Sequence, residues 1–408
     1  MKKNMKSEES LDDLNSRAVE IYREYLRIPS VHPDVNYEDC VTFLLKQADS
    51  LQLPIHVHRV RPDKPVVVIT WEGTDPTKSS ILLNSHMDVV PVFEDEWTYP
   101  PFDAHMDAQG DIYARGAQDT KYLGIQYLEA IRRLKLNGQR LSRTVHVSFV
   151  PDEEINSALG MKEYVHSEHF KSLNVGFVLD EGLYSEDSKG YLVSSDERTK
   201  LELIITCKGV TGHGSLMLDD TAAEKMRFII DRFMDFRAAE RAKLQTVNAL
   251  SNGYVTSVNL TVLKGGVQIN VIPVELTAMF DIRLQPQENP DDFEALVKRW
   301  CEEAGPGVSY FFCLKSPKIM GTKTDDSNPF WVPFKNVFSE IGSELKQIIL
   351  MATTDARFLR ELGIPVLNFS SINNTKVRAH AANEYLNKDV FLKGIELFTK
   401  IIPAIANV

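Results

Sequence analysis

The chain has 408 residues, 43% of them apolar and 25% charged, with a formal net charge of −11. That length exceeds one comfortable hydrophobic core, so two domains are the default. The acidic balance argues against a nucleic-acid surface, which needs clustered Lys and Arg, and no run of about 18 apolar residues is available to cross a membrane. The start, Met1 to Glu9, lacks the apolar stretch of a signal peptide. Cys40, Cys207, Cys301 and Cys313 are scattered without CxxC spacing, which argues against a thiolate zinc site or a dense disulfide framework. A cytoplasmic protein with four free thiols is the simplest reading, and any metal must then use His and carboxylates.

In chain order, Leu11 to Ile28 has Leu14, Ala18, Ile21 and Tyr22 at helical spacing and is stopped by Pro29. A second helix is expected around Glu38 to Leu53. Apolar strands follow at Pro65–Trp71 and Ser80–Ser85. Thr120 to Leu136 reads as an amphipathic helix with Tyr127, Leu128, Ile131 and Leu134 as its core stripe and Gly138 beyond its end. The run Thr144 to Val150 alternates as a strand, and Pro151, with no N–H to donate, stops it. A further strand runs from Val175 toward Gly182. Apolar strands separated by helices imply an α/β domain, a mostly parallel sheet covered by helices. From Lys200 the pattern changes to strand 200–207, helix 222–244, strands 254–263 and 275–284, helix 291–304 and strand 308–314. That β-α-β-β-α-β order is ferredoxin-like. It predicts an inserted α+β domain at 196–315, with 1–195 and 316–408 forming one discontinuous domain. Strand 365–369 and a final helix 388–402 would return to the first sheet.

Chemistry-bearing residues gather at the strand ends. Glu153 and Glu154 follow Pro151-Asp152; alone, such a doublet is either a solvated acidic loop or a pair in which one acid holds a metal while the other moves a proton. His86 and Asp88 are two apart, on one side of an extended segment, so Asp88 is placed to hold the second ring nitrogen of His86. Asp119 precedes the helix as either an N-cap or a metal-bridging carboxylate. Glu181 ends another strand, and His380 stands ahead of the last helix. In open α/β sheets the ligand site lies beyond the carboxyl ends of the strands. Two His, a bridging Asp and two acids would give each of two ions three protein ligands with open positions, which suits hydrolysis by metal-activated water. Imidazole with carboxylate favours zinc over manganese or cobalt.

Nearly the whole chain resembles the aminoacylases of the dinuclear-zinc peptidase and deacylase superfamily. The resemblance is carried by 84–92 (NSHMDVVPV), 112–119 (IYARGAQD), 149–154 (FVPDEE), 179–182 (LDEG), 255–261 (VTSVNLT) and 270–273 (NVIP). It implies hydrolysis of N-acyl-L-amino acids to a carboxylate and a free L-amino acid, with two zinc ions per subunit. His86, Asp119 and Glu181 would bind one ion, and Asp119, Glu154 and His380 the other. Glu153 would be the general base, Asp88 would orient His86, and the Asp119–Thr120 peptide would be cis. His213, in Val210-Thr211-Gly212-His213-Gly214-Ser215, would act in trans in a homodimer and steady the oxyanion. Asn270, Arg283 and Arg357 would contact the substrate, the two arginines through its carboxylate.

The sequence departs from the family pattern after the last ligand. His380-Ala381-Ala382-Asn383-Glu384 keeps the first His and the last Glu of a His-Asp-His-Asp-Glu run but lacks both aspartates and the second His. Thr211-Gly212 replaces a Pro-Gly, and Ile155 to Gly160 departs from a Gly-rich segment. A dipeptidase or carboxypeptidase on the same scaffold, and a non-catalytic binding homologue, are the competing readings.

Overall fold

A computed structural model describes residues 10–246 and 252–408; the charged start read against a signal peptide lies outside them. Two compact units form. The first comprises 1–195, 322–347 and 354–408, the second 196–321 with 348–353.

The first unit is built on an eight-stranded sheet. Its strands lie in the order Ile55–Arg61, Lys64–Trp71, Val145–Val150, Ser80–His86, Val175–Asp180, Val366–Phe369, Gly190–Glu197, Glu344–Leu350. The four strands from Val145–Val150 to Val366–Phe369 run parallel to one another, and antiparallel strands flank them. Alternate residues of the same strands feed two cores. Val67, Ile69, Ile81, Leu83, Val147 and Phe149 pack into one cluster, and Val66, Val68, Leu82 and Val150 into another. Helices therefore cover both faces, and the parallel strands read as unbroken apolar runs for that reason. The polar side of Val145–Val150 is buried as well: His146 Nδ1 meets Thr70 Oγ1 at 2.9 Å, and Ser148 Oγ donates to Asn84 Oδ1 at 2.6 Å.

The helix Lys121–Leu136 departs from the expected one-sided stripe. Gln126, Glu129 and Arg132 are buried along with the apolar positions, because the helix lies between the sheet and the helices Leu11–Leu26 and Lys388–Ala406. Gly124 permits the close approach: a Cβ there would lie 2.3 Å from Phe149 Cε1. The last helix passes its expected end at Ile402 and takes Pro403 into its final turn, reaching Ala406.

In the second unit, Thr199–Lys208, Ala222–Thr246, Ser257–Gly265, Glu275–Leu284, Pro290–Glu303 and Val308–Lys315 give the expected β-α-β-β-α-β order. The four strands form one antiparallel sheet in the order Ser257–Gly265, Glu275–Leu284, Thr199–Lys208, Val308–Lys315. Met226, Ile229 and Phe233 of the long helix are inward, packed with Phe280 and Trp300.

Candidate metal centre

His86 ends a strand buried at every position. Its Nδ1 donates to the main-chain carbonyl of Asp88 at 2.8 Å, while the Asp88 carboxylate stays 3.7 Å away. The ring is thus held by a carbonyl and not by the carboxylate that the spacing suggested. Its Nε2 faces Asp119 Oδ1 at 3.1 Å and Glu181 Oε2 at 3.6 Å. Burial opposes protonation of this imidazole, but the Glu181 and Asp119 carboxylates outweigh it and push it well above its usual range.

Asp119 precedes a cis peptide to Thr120, and its side chain is no N-cap for the helix that follows. Its other oxygen, Oδ2, lies 3.2 Å from His380 Nε2, which also meets Glu154 Oε2 at 3.1 Å. His380 is pushed up to about 10 by the Asp119 and Glu154 carboxylates. Two ligand sets result, His86–Asp119–Glu181 and Asp119–Glu154–His380, each with its donor atoms within 4.8 Å of one another. Tetrahedral zinc with bonds of ~2.0–2.2 Å places ligand atoms ~3.3–3.6 Å apart, close to the separations here. Glu154 Oε1 is buried with no partner among the described residues. Burial, with the repulsion of neighbouring acids, raises Glu153 and Glu154 above the usual carboxylate range and Glu181 to about 8. A crowd of carboxylates this reluctant to ionise, facing two imidazoles, fits a pair of divalent cations.

The doublet itself lies on a tight turn, Glu153–Ile155, and not on an extended strand end. Asp152 enters that turn at φ +63 and is held by the Tyr37 hydroxyl and Lys64. The buried Asp88 carboxylate accepts the backbone N–H of Glu153 at 3.2 Å and of Glu154 at 3.1 Å, and it contacts His32 Nε2 at 2.8 Å. Asp88 therefore positions both acids. His32 carries no motif signal, and sequence reasoning missed it.

Glu384 is the other residue whose part was underestimated. Fully buried, it accepts from the N–H groups of Gly116 at 3.1 Å, Gln118 at 2.6 Å and Asp119 at 3.1 Å, and from Arg115 Nη1 at 2.7 Å. Arg115 in turn donates to the carbonyls of His380 at 3.3 Å and Ala381 at 3.1 Å.

Of the remaining expected site residues, Arg357 is in the first unit and donates to the Asn156 carbonyl at 3.1 Å, on the loop just after the doublet. His213 and Asn270 are exposed in the second unit and lie side by side: Gly214 N–H donates to the Asn270 carbonyl at 2.8 Å, and His213 Nδ1 meets Ser215 Oγ at 2.7 Å. Arg283, in the same unit, already has its fork on Asp281, at 2.8 and 3.0 Å.

A mixed α/β sheet with His86, Glu154 and Glu181 at or just beyond its strand ends, completed by Asp119 and His380 into two ligand sets, is the frame of a metallohydrolase. The sequence model of Peptidase family M20/M25/M40 matches residues 82–404, and the chain belongs to that hydrolase family. Aminoacylase-1 of Sus scrofa is 45% identical over 391 residues, covering 96% of each chain. Aminoacylase-1 of Dictyostelium discoideum is 42% identical, covering 95% of this chain and 97% of that one. An M20 family metallo-carboxypeptidase from Sulfolobus solfataricus, Sso-CP2, shares the fold with a TM-score of 0.74 at 19% identity, over 95% of this chain and 99% of that one.

Proposed function

We propose that the protein hydrolyses N-acyl-L-amino acids to a carboxylate and a free L-amino acid, using two zinc ions per chain and Glu153 as general base. The observation that carries this reading is the placement of Asp119: its two oxygens face two different imidazoles, at 3.1 and 3.2 Å, and Glu153 belongs to neither ligand set. His86, Asp119 and Glu181 would hold one ion, and Asp119, Glu154 and His380 the other. When bound, such a pair polarises a carbonyl and lowers the pKa of water. Glu153 takes a proton from the attacking water on a carboxylate oxygen and returns it to the leaving amine nitrogen. Asp88 keeps Glu153 in place through the backbone.

The N-acyl-amino-acid substrate is supported by the names of relatives that match along 95–96% of this chain. Arg357 would take the substrate carboxylate, with Asn270 near the substrate; Arg283 is the weaker candidate, since Asp281 occupies it. His213 would act from the partner subunit of a homodimer and steady the oxyanion. Met217, Val267, Ile269 and Val274, exposed apolar side chains of the second unit, offer a surface that a second copy would cover. Four free thiols are in keeping with a cytoplasmic location, and no helix among the described residues is long and apolar enough to cross a membrane. The test is a substrate panel run beside metal analysis. N-acetyl-methionine should be hydrolysed faster than a plain dipeptide, and preference for the dipeptide overturns the substrate assignment in favour of a peptidase.

A further inference from the structure

A second histidine cluster stands apart from the Asp119 centre. Ile55–Arg61 is the edge strand of the eight-stranded sheet, and His56 and His58, two apart, project to the same face. They pair with Val68 and Val66, whose side chains belong to the core beneath the helices Met161–Tyr164 and Glu168–Ser172. His169, on the second of these helices, lies over both: its ring centroid is 3.9 Å from that of His56 and 5.7 Å from that of His58. One nitrogen from each of the three rings lies within 4.8 Å of the others. The Tyr164 hydroxyl meets His169 Nδ1 at 2.9 Å. With Nδ1–H donating to the Tyr164 oxygen, that bond would hold the ring and leave the Nε2 lone pair for an ion, the second-atom support that metal-binding imidazoles carry.

We propose that His56, His58 and His169 form a mononuclear site for a late first-row divalent ion, Zn2+ or Cu2+, separate from the Asp119 centre. Three neutral imidazoles and one solvent position suit these ions in both geometry and donor type. Bonds of ~2.0–2.1 Å need the nitrogens to close to ~3.4 Å. His56 is exposed, and rotation of its ring would open the stack and bring its nitrogen inward. The strand carrying His86 is the third from this edge strand, about 14 Å away at 4.7–4.9 Å per strand, so neither centre shares a ligand with the other. Bound there, the ion would tie the edge strand to the helix Glu168–Ser172.

The experiment counts ions per chain after equilibrium dialysis of the whole enzyme against Zn2+, for wild type and for a His58→Gln/His169→Gln variant. The variant should hold one ion fewer, gain less in Tm from added Zn2+, and keep kcat. With Cu2+, electron paramagnetic resonance of the wild type should show coupling to three nitrogens that the variant lacks. His56→Gln alone, at an exposed position where folding is not at stake, should weaken this ion by at least ~10-fold. Equal ion counts in wild type and variants, or unchanged affinity in His56→Gln, would overturn the site and leave three imidazoles that only stack.

Discussion

Replacing Asp88 separates two readings of its carboxylate. It receives His32 Nε2 at 2.8 Å, Glu154 N–H at 3.1 Å and Glu153 N–H at 3.2 Å, all without exposure to solvent. A hydrogen bond to a charged group contributes ~1.5–3 kcal/mol. Three would sum to ~4.5–9 kcal/mol, but they share one carboxylate and are not additive, so Asp88→Ala should cost about 4–6 kcal/mol. Asp88→Asn keeps one oxygen. Oδ2 serves both His32 and Glu154, so an amide turned to keep that oxygen presents NH2 to the Glu153 N–H. The opposite turn orphans the Glu154 N–H. Either way one backbone bond of the doublet is lost, a cost of about 1.5–3 kcal/mol. Because His86 is held by the Asp88 main-chain carbonyl, metal should remain at His86 while kcat falls by ~100-fold through displacement of Glu153. Urea denaturation, bound-metal analysis and kcat measured on the same preparations decide the matter. An Asn variant that keeps its stability but loses one ion would refute the reasoning, since the carboxylate would then be serving His86.

Glu153→Ala should abolish turnover while keeping both ions, measured by metal analysis of the purified variant; loss of metal would show that the members of the doublet are misassigned. His213→Ala and Glu153→Ala chains, each inactive alone, should regain partial activity when mixed, and no recovery after verified subunit exchange would exclude a shared site. His380→Ala should remove one ion and leave the His86 ion in place, and a chelator added stepwise to the wild type should extract that same ion first, read by metal content at each step.

Much of the layout was readable because burial writes itself into sequence. Ile81, Leu82 and Leu83 are apolar in a row since both faces of their strand are covered, and ligand-type residues just beyond such runs stand out. Other features left no such trace. Ile55–Arg61 is half polar, as an edge strand is, and gave no apolar run to notice. The polar residues of Lys121–Leu136 suggested an exposed face, yet Gln126 donates to the Phe391 carbonyl and Glu129 pairs with Arg132 inside the fold. Asp88 was expected to hold His86 through its carboxylate, but that carboxylate has other partners. Its bonds go to His32, far upstream, and to two backbone N–H groups, which every residue but proline possesses and which therefore carry no sequence signal.

The site tolerates Ala381, Ala382 and Asn383 where two aspartates and a second histidine were expected. Asp119 and His380 must meet across a long separation in sequence, and one buried ion pair fixes both. Glu384 gathers the N–H groups of Gly116, Gln118 and Asp119, while Arg115, bound to Glu384, holds the carbonyls of His380 and Ala381. The backbone of the second ligand set is thus placed without the missing aspartates. What they would have added is a grip on the imidazole itself. Among the described residues nothing hydrogen-bonds His380 Nδ1, and its side chain is 55% exposed, whereas His86 is 1% exposed with its Nδ1 on a carbonyl. An imidazole free to turn about its own axis loses more entropy on binding than one already held. The two ligand sets, alike in composition, are therefore unequal in strength, and the Glu154–His380 side is the one that gives way.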